Sequence, residues 1–380
     1  MSDYLYFDHA AATTVRPEAW NAVEALRTKS LGNPSSVHTP GRTAKHAVDQ
    51  ARVALAPLLL VEPQDIVFTS GATEALNTAI IGAYLGLKNK RGVVYTSPLV
   101  HSCVWAALDY LQTQHQVTVK FLPITKTGHL DLESITEKLI GESDLIITEH
   151  ISSEIGVMQP ASKLGKKLVR YADETGKPKP VYIVDAAGSS MSELIGLDFF
   201  KCDLLAFSGE KFGALSGTGV LLKSQKTLLK PVQGGTQEWG YRGGTENIIG
   251  ISAFASAYQV HHQNLETQNE LLKKIGTVVR SFLETQKVKI ITPKEGSALH
   301  VLHFLLPVGE ASLFIAQADL AGIALSAGSA CSSGSVEGSK ALINLGLNET
   351  EAQRGIRISW GWDTSVEQAE DLCKRLKTLL

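Results

Sequence analysis

The sequence predicts an α/β protein: a large domain on a mostly parallel sheet flanked by helices, with a smaller α+β domain beside it. Three observations carry that expectation. Short apolar runs with almost no polar alternation are separated by helical stretches, which is how strands covered on both faces read. Near residue 250 the alternation gives way to a long helical stretch followed by separate strands and helices. At 380 residues, 44% of them hydrophobic, the chain can bury a sizeable core. That length suits two domains, or one large domain with an appendage.

The elements follow in order. "DIVFTS" (65–70) precedes a helical "ATEALNTAIIGAYLGL", "RGVVYTS" (91–97) precedes "SCVWAALDYLQTQ", and "SDLIITEHIS" (143–152) precedes "ASKLGKKLVRYADETG". The last of these helices ends on Gly176, a helix-stop signal. "PVYIVDAAG" (180–188) and "CDLLAFSG" (202–209) are two further strands. The helical stretch from 251 to 286 then leads to the strands "KVKIITP" and "ALHVLHFLLP". "IRISWG" (356–361) is the last strand, and "SVEQAEDLCKRLKTLL" is a closing amphipathic helix with Ser365 as its N-cap. We place the large domain at 15–255 and the small one at 1–14 plus 256–380.

Net charge is −2, from 36 basic and 38 acidic side chains. No strong field favours nucleic acid or an anionic membrane, so a small-molecule substrate or a protein partner is expected. No apolar run reaches membrane-spanning length, and "MSDYLYFDHAAATTV" lacks a basic region followed by an apolar core. We expect a soluble, cytoplasmic protein. The four cysteines, Cys103, Cys202, Cys331 and Cys373, are scattered and include no CxxC pair. They indicate neither a structural metal site nor a disulfide framework.

In an open parallel sheet, ligands gather beyond the carboxyl ends of the strands. After the first strand, Ser70, Gly71, Ala72 and Thr73 lead into a helix whose N-terminal amides and threonine hydroxyl can hold a phosphate; the same residues read equally as an ordinary cap. Asp185 ends an apolar strand and needs a cationic or hydrogen-bonding partner if buried, a protonated ring nitrogen being one and a helix-capping role the alternative. Lys211 follows Ser208, Gly209 and Glu210 at another strand end, where a desolvated lysine can form a Schiff base with an aldehyde. His101 follows a third strand, and read alone it is a surface histidine. Arg357 lies inside an apolar strand and needs an anion, either a ligand carboxylate or an internal Asp or Glu. Together these describe one centre: a phosphate cradle, an acid for a pyridine nitrogen, a lysine for an aldehyde and an arginine for a carboxylate. That set asks for pyridoxal phosphate and an amino acid.

Cys331 lies in "SAGSACSSGS" (326–335), where the other nine residues are Ser, Ala or Gly. Such residues have little apolar surface to bury, so a thiol here is expected on a solvated arm, and part of Ala330–Gly338 is expected to shift between positions.

With these residues on the page, the chain resembles the cysteine desulfurases among the class V, fold-type-I pyridoxal phosphate enzymes, in the group with long thiol loops. The likeness runs through "YFDHAAATT", "GNPSSVH", "FTSGATEALN", "VHSCV", "EIGVMQP", "VDAAG", "FSGEK", "YRGGTEN", "SAGSACSSGS" and "IRISWG". It implies a seven-stranded-type sheet in the large domain and a homodimer. It also implies roles. Lys211 would carry the cofactor, Asp185 would pair with its ring nitrogen, and His101 would stack on the ring and move protons. Gly71, Ala72, Thr73 and Ser208 would hold its phosphate, with Ser153 near its phenolic oxygen. Thr245 would reach the phosphate of the neighbouring subunit, while Asn33 and Arg357 would bind substrate. Cys331 would take sulfur from L-cysteine as a persulfide, release L-alanine and pass the sulfur to an acceptor protein, its arm reaching both places.

Three positions depart from the family's usual pattern. Glu210 stands where a phosphate-binding histidine is usual, Gly188 where a glutamine is, and Ser153 where an asparagine is. A carboxylate is charged at neutral pH and would repel phosphate, so Glu210 is expected to turn away, toward a basic group. Two other readings remain at this point. One is a class V lyase or aminotransferase acting on a different amino acid, with Cys331 incidental. The other is a non-catalytic scaffold for a sulfur acceptor, against which the intact lysine, aspartate, arginine and thiol argue.

Overall fold

The structure, a computed structural model, describes residues 4–328 and 339–380. A short strand β1 (Leu5–Tyr6) precedes helices α1 (Pro17–Arg27) and α2 (Thr39–Leu59). The first sheet unit is β2 (Ile66–Thr69) with α3 (Ala72–Gly86), and the second is β3 (Val93–Thr96) with α4 (Ser102–His115). Then come β4 (Thr118–Phe121), α5 (Glu137–Glu142), β5 (Leu145–Glu149), α6 (Ala161–Thr175), β6 (Val181–Asp185), α7 (Leu197–Phe200), β7 (Leu204–Ser208) and β8 (Gly219–Lys223).

These seven strands form one sheet in the order β2-β8-β7-β6-β5-β3-β4. Only β8 runs against its neighbours, pairing antiparallel with β2 and β7. Every residue of β5 and β7 is buried, as strands covered on both faces must be, and β4 at the edge is half-exposed. Apolar cores lie on both sides of the sheet. One includes Phe68, Ile146, Val184 and Phe207, and the other Val67, Ile147, Ile183 and Leu221. These residues alternate along each strand, so each strand feeds both cores, as the period of two requires.

Beyond the sheet run α8 (Ile248–Gln263), α9 (Leu265–Thr285), β9 (Lys289–Ile290), β10 (Val301–Leu305), α10 (Ala311–Leu320), β11 (Ile323–Ala324), α11 (Lys340–Asn344), α12 (Glu349–Ala352), β12 (Gly355–Ser359) and α13 (Val366–Leu376). The long helical stretch expected from 251 to 286 is two helices. Asn264, with φ −101° and ψ 6°, leaves the helical region and divides them. The boundary expected at 255/256 lies inside α8. Strand β10 pairs antiparallel with β12 and β9, and β1 pairs parallel with β11. A third apolar core joins Leu5 and Phe7 to Leu272, Phe304, Ile356 and Leu372. Gly176 ends α6 in the left-handed region, and Ser365 caps α13. No described helix is long and apolar enough to cross a membrane.

Candidate active site

The carboxyl ends of the parallel strands open on a cavity of about 870 Å³. It is lined by Gly71, Ala72, Thr73, His101, Ser153, Asp185, Ser208, Lys211 and Arg357, so nine of the expected residues converge. The first four stand after β2 and β3, Ser153 stands four residues beyond the end of β5, and Asp185 closes β6. Ser208 and Lys211 stand at the end of β7, and Arg357 reaches in from β12.

At the phosphate end, Gly71 is the N-cap of α3 and no described side chain caps its amides. A Cβ on Gly71 would lie 3.5 Å from the Ser208 hydroxyl, so the helix terminus and that hydroxyl share one corner. Glu210 does not turn away. It lines the cavity, its carboxylate accepts the Ser208 hydroxyl, and its other oxygen is 3.9 Å from the Lys211 ammonium. The basic group it meets is the lysine of the site itself, the next residue in the chain, which keeps it inward.

Lys211 Nζ donates to the carbonyls of Ala10 (2.8 Å) and Ala11 (2.6 Å). Burial lowers its pKa, with Glu210 opposing. Asp185 accepts from the Ala187 amide at 2.9 Å. Burial raises its pKa, while that hydrogen bond, His101 and Lys211 pull it back. His101 caps α4, its Nδ1 accepting from the Cys103 amide and lying 3.1 Å from Cys103 Sγ. Burial pushes its pKa down, so it is held toward the neutral form. The lysine, aspartate and histidine thus face one another electrostatically across one buried centre, the circumstance in which pKa values are tuned for chemistry.

Arg357 is paired internally. Nη2 donates to Asp8 at 2.8 Å and Nη1 to the Ser153 carbonyl at 3.0 Å. Its buried Nε has no hydrogen-bond partner among the described residues. The guanidinium therefore keeps Nε and a second hydrogen on each terminal nitrogen to offer an incoming anion, with Asp8 and the Ser153 carbonyl holding the other two. Gly188 has no room for the side chain usual in the family: a Cβ there would run into the Ile151 carbonyl.

Asn33 and Thr245 do not line this cavity. Asn33 Nδ2 lies 3.5 Å from Thr245 Oγ1, the two sitting together elsewhere on the chain. The Asn33 side-chain oxygen accepts the Ser35 amide at 2.9 Å. Cys331 and the stretch Ala330–Gly338 lie outside the described residues.

One buried carboxylate of the cavity lies outside the residues expected from the sequence. Glu149 ends β5 beside Asp185 in the register, lines the cavity and is 3% exposed. One of its oxygens accepts from Ser97 (3.0 Å) and Gln159 (3.4 Å), and the other has no partner among the described residues. Burial pushes its pKa up to about 7. Its sequence signal was the one that exposed Asp185, an acid closing an apolar strand: "LIITE" against "VYIVD".

The donor set suits pyridoxal phosphate: uncapped helix amides with Thr73 and Ser208 for the phosphate, Asp185 for the ring nitrogen, and Lys211 for the aldehyde. Glu210, and Glu74 in the first turn of α3, are the carboxylates at this corner that oppose the phosphate's charge.

A family model described as aminotransferase class-V matches residues 5–372. A putative cysteine desulfurase IscS 1 of Bacillus subtilis (strain 168) is 30% identical over 376 residues, covering 98% of this chain and 97% of that protein. A cysteine desulfurase of Trichormus azollae is 32% identical over 389 residues, covering 99% and 94%. Among solved structures, a NifS-like protein superposes with a TM-score of 0.89 at 27% identity over 99% of both chains. SspA in complex with cysteine superposes with 0.77 at 27% identity over 93% of this chain and 98% of that one.

Proposed function

The chain belongs to the aminotransferase class-V family and its relatives are cysteine desulfurases; from that premise we propose that it converts L-cysteine to L-alanine and passes the sulfur, as a persulfide on Cys331, to an acceptor. The observation that carries this reading is the convergence of Lys211, Asp185, His101 and Arg357 on one cavity.

Pyridoxal phosphate, when bound, would supply an electron sink for the bonds around the substrate's α-carbon. The chain's residues do the rest. Lys211 would hold the cofactor's aldehyde carbon, its lowered pKa favouring the nucleophilic amine. Asp185 would keep the ring nitrogen protonated. The α3 amides, Thr73 and Ser208 would hold the phosphate. Arg357 would bind the substrate carboxylate through its unpartnered Nε, with Nη2 shared with Asp8. Cys103 engages His101 Nδ1 and so holds the imidazole in place, and His101 would stack on the cofactor ring and move protons. The sulfur step balances without another reactant. The Cys331 thiolate attacks the substrate sulfur, the carbon–sulfur bond breaks and a sulfur–sulfur bond forms. The carbon fragment leaves with the bonding pair and gains a proton, giving alanine.

Asn33 and Thr245, together outside this cavity, support a homodimer in which they serve the neighbouring site. Incubation with L-cysteine and reductant tests the proposal. Sulfide and alanine in equal amounts, abolished in Cys331→Ala, support it. Activity on another amino acid that survives Cys331→Ala overturns it in favour of a lyase or aminotransferase.

A further inference from the structure

We infer that Glu154 is a positioning residue at the edge of the substrate site, one carboxylate oxygen holding the far end of the thiol-bearing segment through Ser339 and lying against its near end at Gly328. The inference rests on Cys331 being the sulfur-accepting thiol.

Glu154 follows β5 and lines the cavity. Its Oε1 accepts the Ser339 hydroxyl. The same oxygen lies 2.8 Å from where a Cβ on Gly328 would sit. Gly328 and Ser339 are the last described residues on either side of the stretch that carries Cys331. Two points eleven positions apart in sequence thus meet one atom.

Each end is then tied further. Ser339 caps α11, its oxygen accepting the Leu342 amide at 3.1 Å, so the hydroxyl that donates to Glu154 also starts the helix. On the other side, Gly328 has φ +69°, a left-handed conformation in which a side chain is strained. An alanine there would meet both that strain and the Glu154 oxygen. Two residues earlier, Ser326 exchanges backbone hydrogen bonds with Arg357 (2.8 and 3.3 Å). The near end of the segment is therefore laddered to the residue that would bind the substrate carboxylate.

Glu154 itself stands on a fixed base. Its carbonyl is 3.0 Å from His303 Nδ1, and the next carbonyl, that of Ile155, accepts the Thr292 hydroxyl at 2.7 Å. Both partners belong to the small domain's sheet region, so the carboxylate is anchored where Arg357 is. Burial raises the Glu154 pKa, opposed by Ser339 and Arg357, which ties its charge to the same two partners.

The geometric consequence is a limit on reach. Cys331 is three residues from Gly328, and an extended chain covers at most about 10–11 Å in that distance. Gly328 lies beside Glu154 and Ser326 is laddered to Arg357, so the tether to the thiol starts at the cavity edge and that radius is counted from there. An acceptor must bring its own nucleophile to this edge. Without the anchor, the effective concentration of thiol at the substrate sulfur drops.

The test uses the holoenzyme with Glu154→Ala, Glu154→Gln, Ser339→Ala and the double variant Glu154→Ala/Ser339→Ala. Three quantities are read: the spectral affinity for L-cysteine, the rate at which sulfur appears on Cys331 by peptide mass, and the rate of Cys331 alkylation by iodoacetamide. Loss of one charge-assisted hydrogen bond at the anchor is expected to slow sulfur loading by about tenfold. L-cysteine affinity is expected to stay within about twofold. Glu154→Gln, whose amide oxygen still accepts the Ser339 hydroxyl, restores most of the rate, and the double variant is no slower than Glu154→Ala. Alkylation of Cys331 changes in Glu154→Ala and returns in Glu154→Gln. Sulfur loading at the parent rate in Glu154→Ala, additive losses in the double variant, or a parallel loss of L-cysteine affinity overturns the inference. If no sulfur reaches Cys331 even in the parent protein, the desulfurase reading fails, and the anchor is still judged by the alkylation rates.

Discussion

Replacing Glu210 by glutamine is predicted to tighten cofactor binding. The carboxylate occupies the Ser208 hydroxyl at the corner where the uncapped α3 amides would meet a phosphate. A phosphate accepting that hydroxyl in its place would lie about 5 Å from the carboxylate, and two like charges at that distance repel by about 3 kcal/mol at an effective dielectric near 20. The helix terminus and solvent ions offset part of this, leaving about 1.5–3 kcal/mol, or roughly 10- to 150-fold in affinity. Glutamine keeps the shape and adds a donor. The assay is equilibrium titration of cofactor-stripped protein with pyridoxal phosphate at fixed pH and salt, followed by absorbance, with added salt shrinking the difference. Removing the carboxylate also removes the charge 3.9 Å from Lys211 Nζ, so the lysine's pKa falls further and the cofactor's absorbance titration moves with it. An affinity in Glu210→Gln that is weaker than in the parent, or within about threefold of it, refutes the reasoning.

Acid stability follows from four buried histidines, whose burial lowers the pKa of His150, His300 and His303 to about 4 and of His261 to about 3. Their folded values lie below the unfolded one, so the stability they contribute is full above the usual histidine range and is lost as the pH falls through it toward 4. Glu149, raised to about 7, works in the opposite direction and offsets one of them. From these five groups the loss between pH 7 and pH 5 is about 5 kcal/mol, increased by His9 and His101, which burial also lowers, and opposed by Asp185, Glu154 and Glu193, which burial raises; it is read as a falling denaturant midpoint, and a midpoint that rises as the pH falls contradicts it. Lys211, buried and lowered, should lose its proton below the usual lysine range. The rate at which stripped protein captures pyridoxal phosphate should climb with pH and level off early, and Lys211→Ala should show no linked-cofactor band. Arg357→Lys replaces a fork with a point charge and should lower kcat/KM for L-cysteine by roughly 10- to 100-fold, through charge-assisted hydrogen bonds worth about 1.5–3 kcal/mol. An unchanged kcat/KM would mean that Asp8 keeps the arginine to itself.

The strand ends were legible because their chemistry is local. An acid closing an apolar run reads alone as a helix cap and a lysine beyond one as a surface charge; it is the set of cradle, acid, lysine and arginine at successive strand ends that singles out Asp185 and Lys211. Glu149, which closes β5, carries the same mark. Features that depend on distant residues were not legible. Asp8 meets Arg357 across 349 positions, and nothing near either residue announces the pairing. The inward turn of Glu210 follows from Ser208 and Lys211 crowding one corner, which the sequence lists but does not arrange. Gly188 stood out only as a departure, and its reason, the Ile151 carbonyl behind it, is a packing fact. The break at Asn264 was invisible because the helical character of the sequence continues through it.

The central claim is that sulfur leaves the substrate for one thiol. Burial raises the pKa of Cys103 to about 12 and of Cys373 to about 11, and pushes Cys202 up as well. All three are held protonated and are poor nucleophiles. Peptide mass mapping of the holoenzyme after a single turnover with L-cysteine, quenched before reductant is added, is the direct measurement. The account predicts one additional sulfur atom on Cys331, an equal amount of alanine, and no added sulfur on Cys103, Cys202 or Cys373. Alanine formed with Cys331 unmodified, or sulfur carried by Cys103 in the cavity, would contradict it.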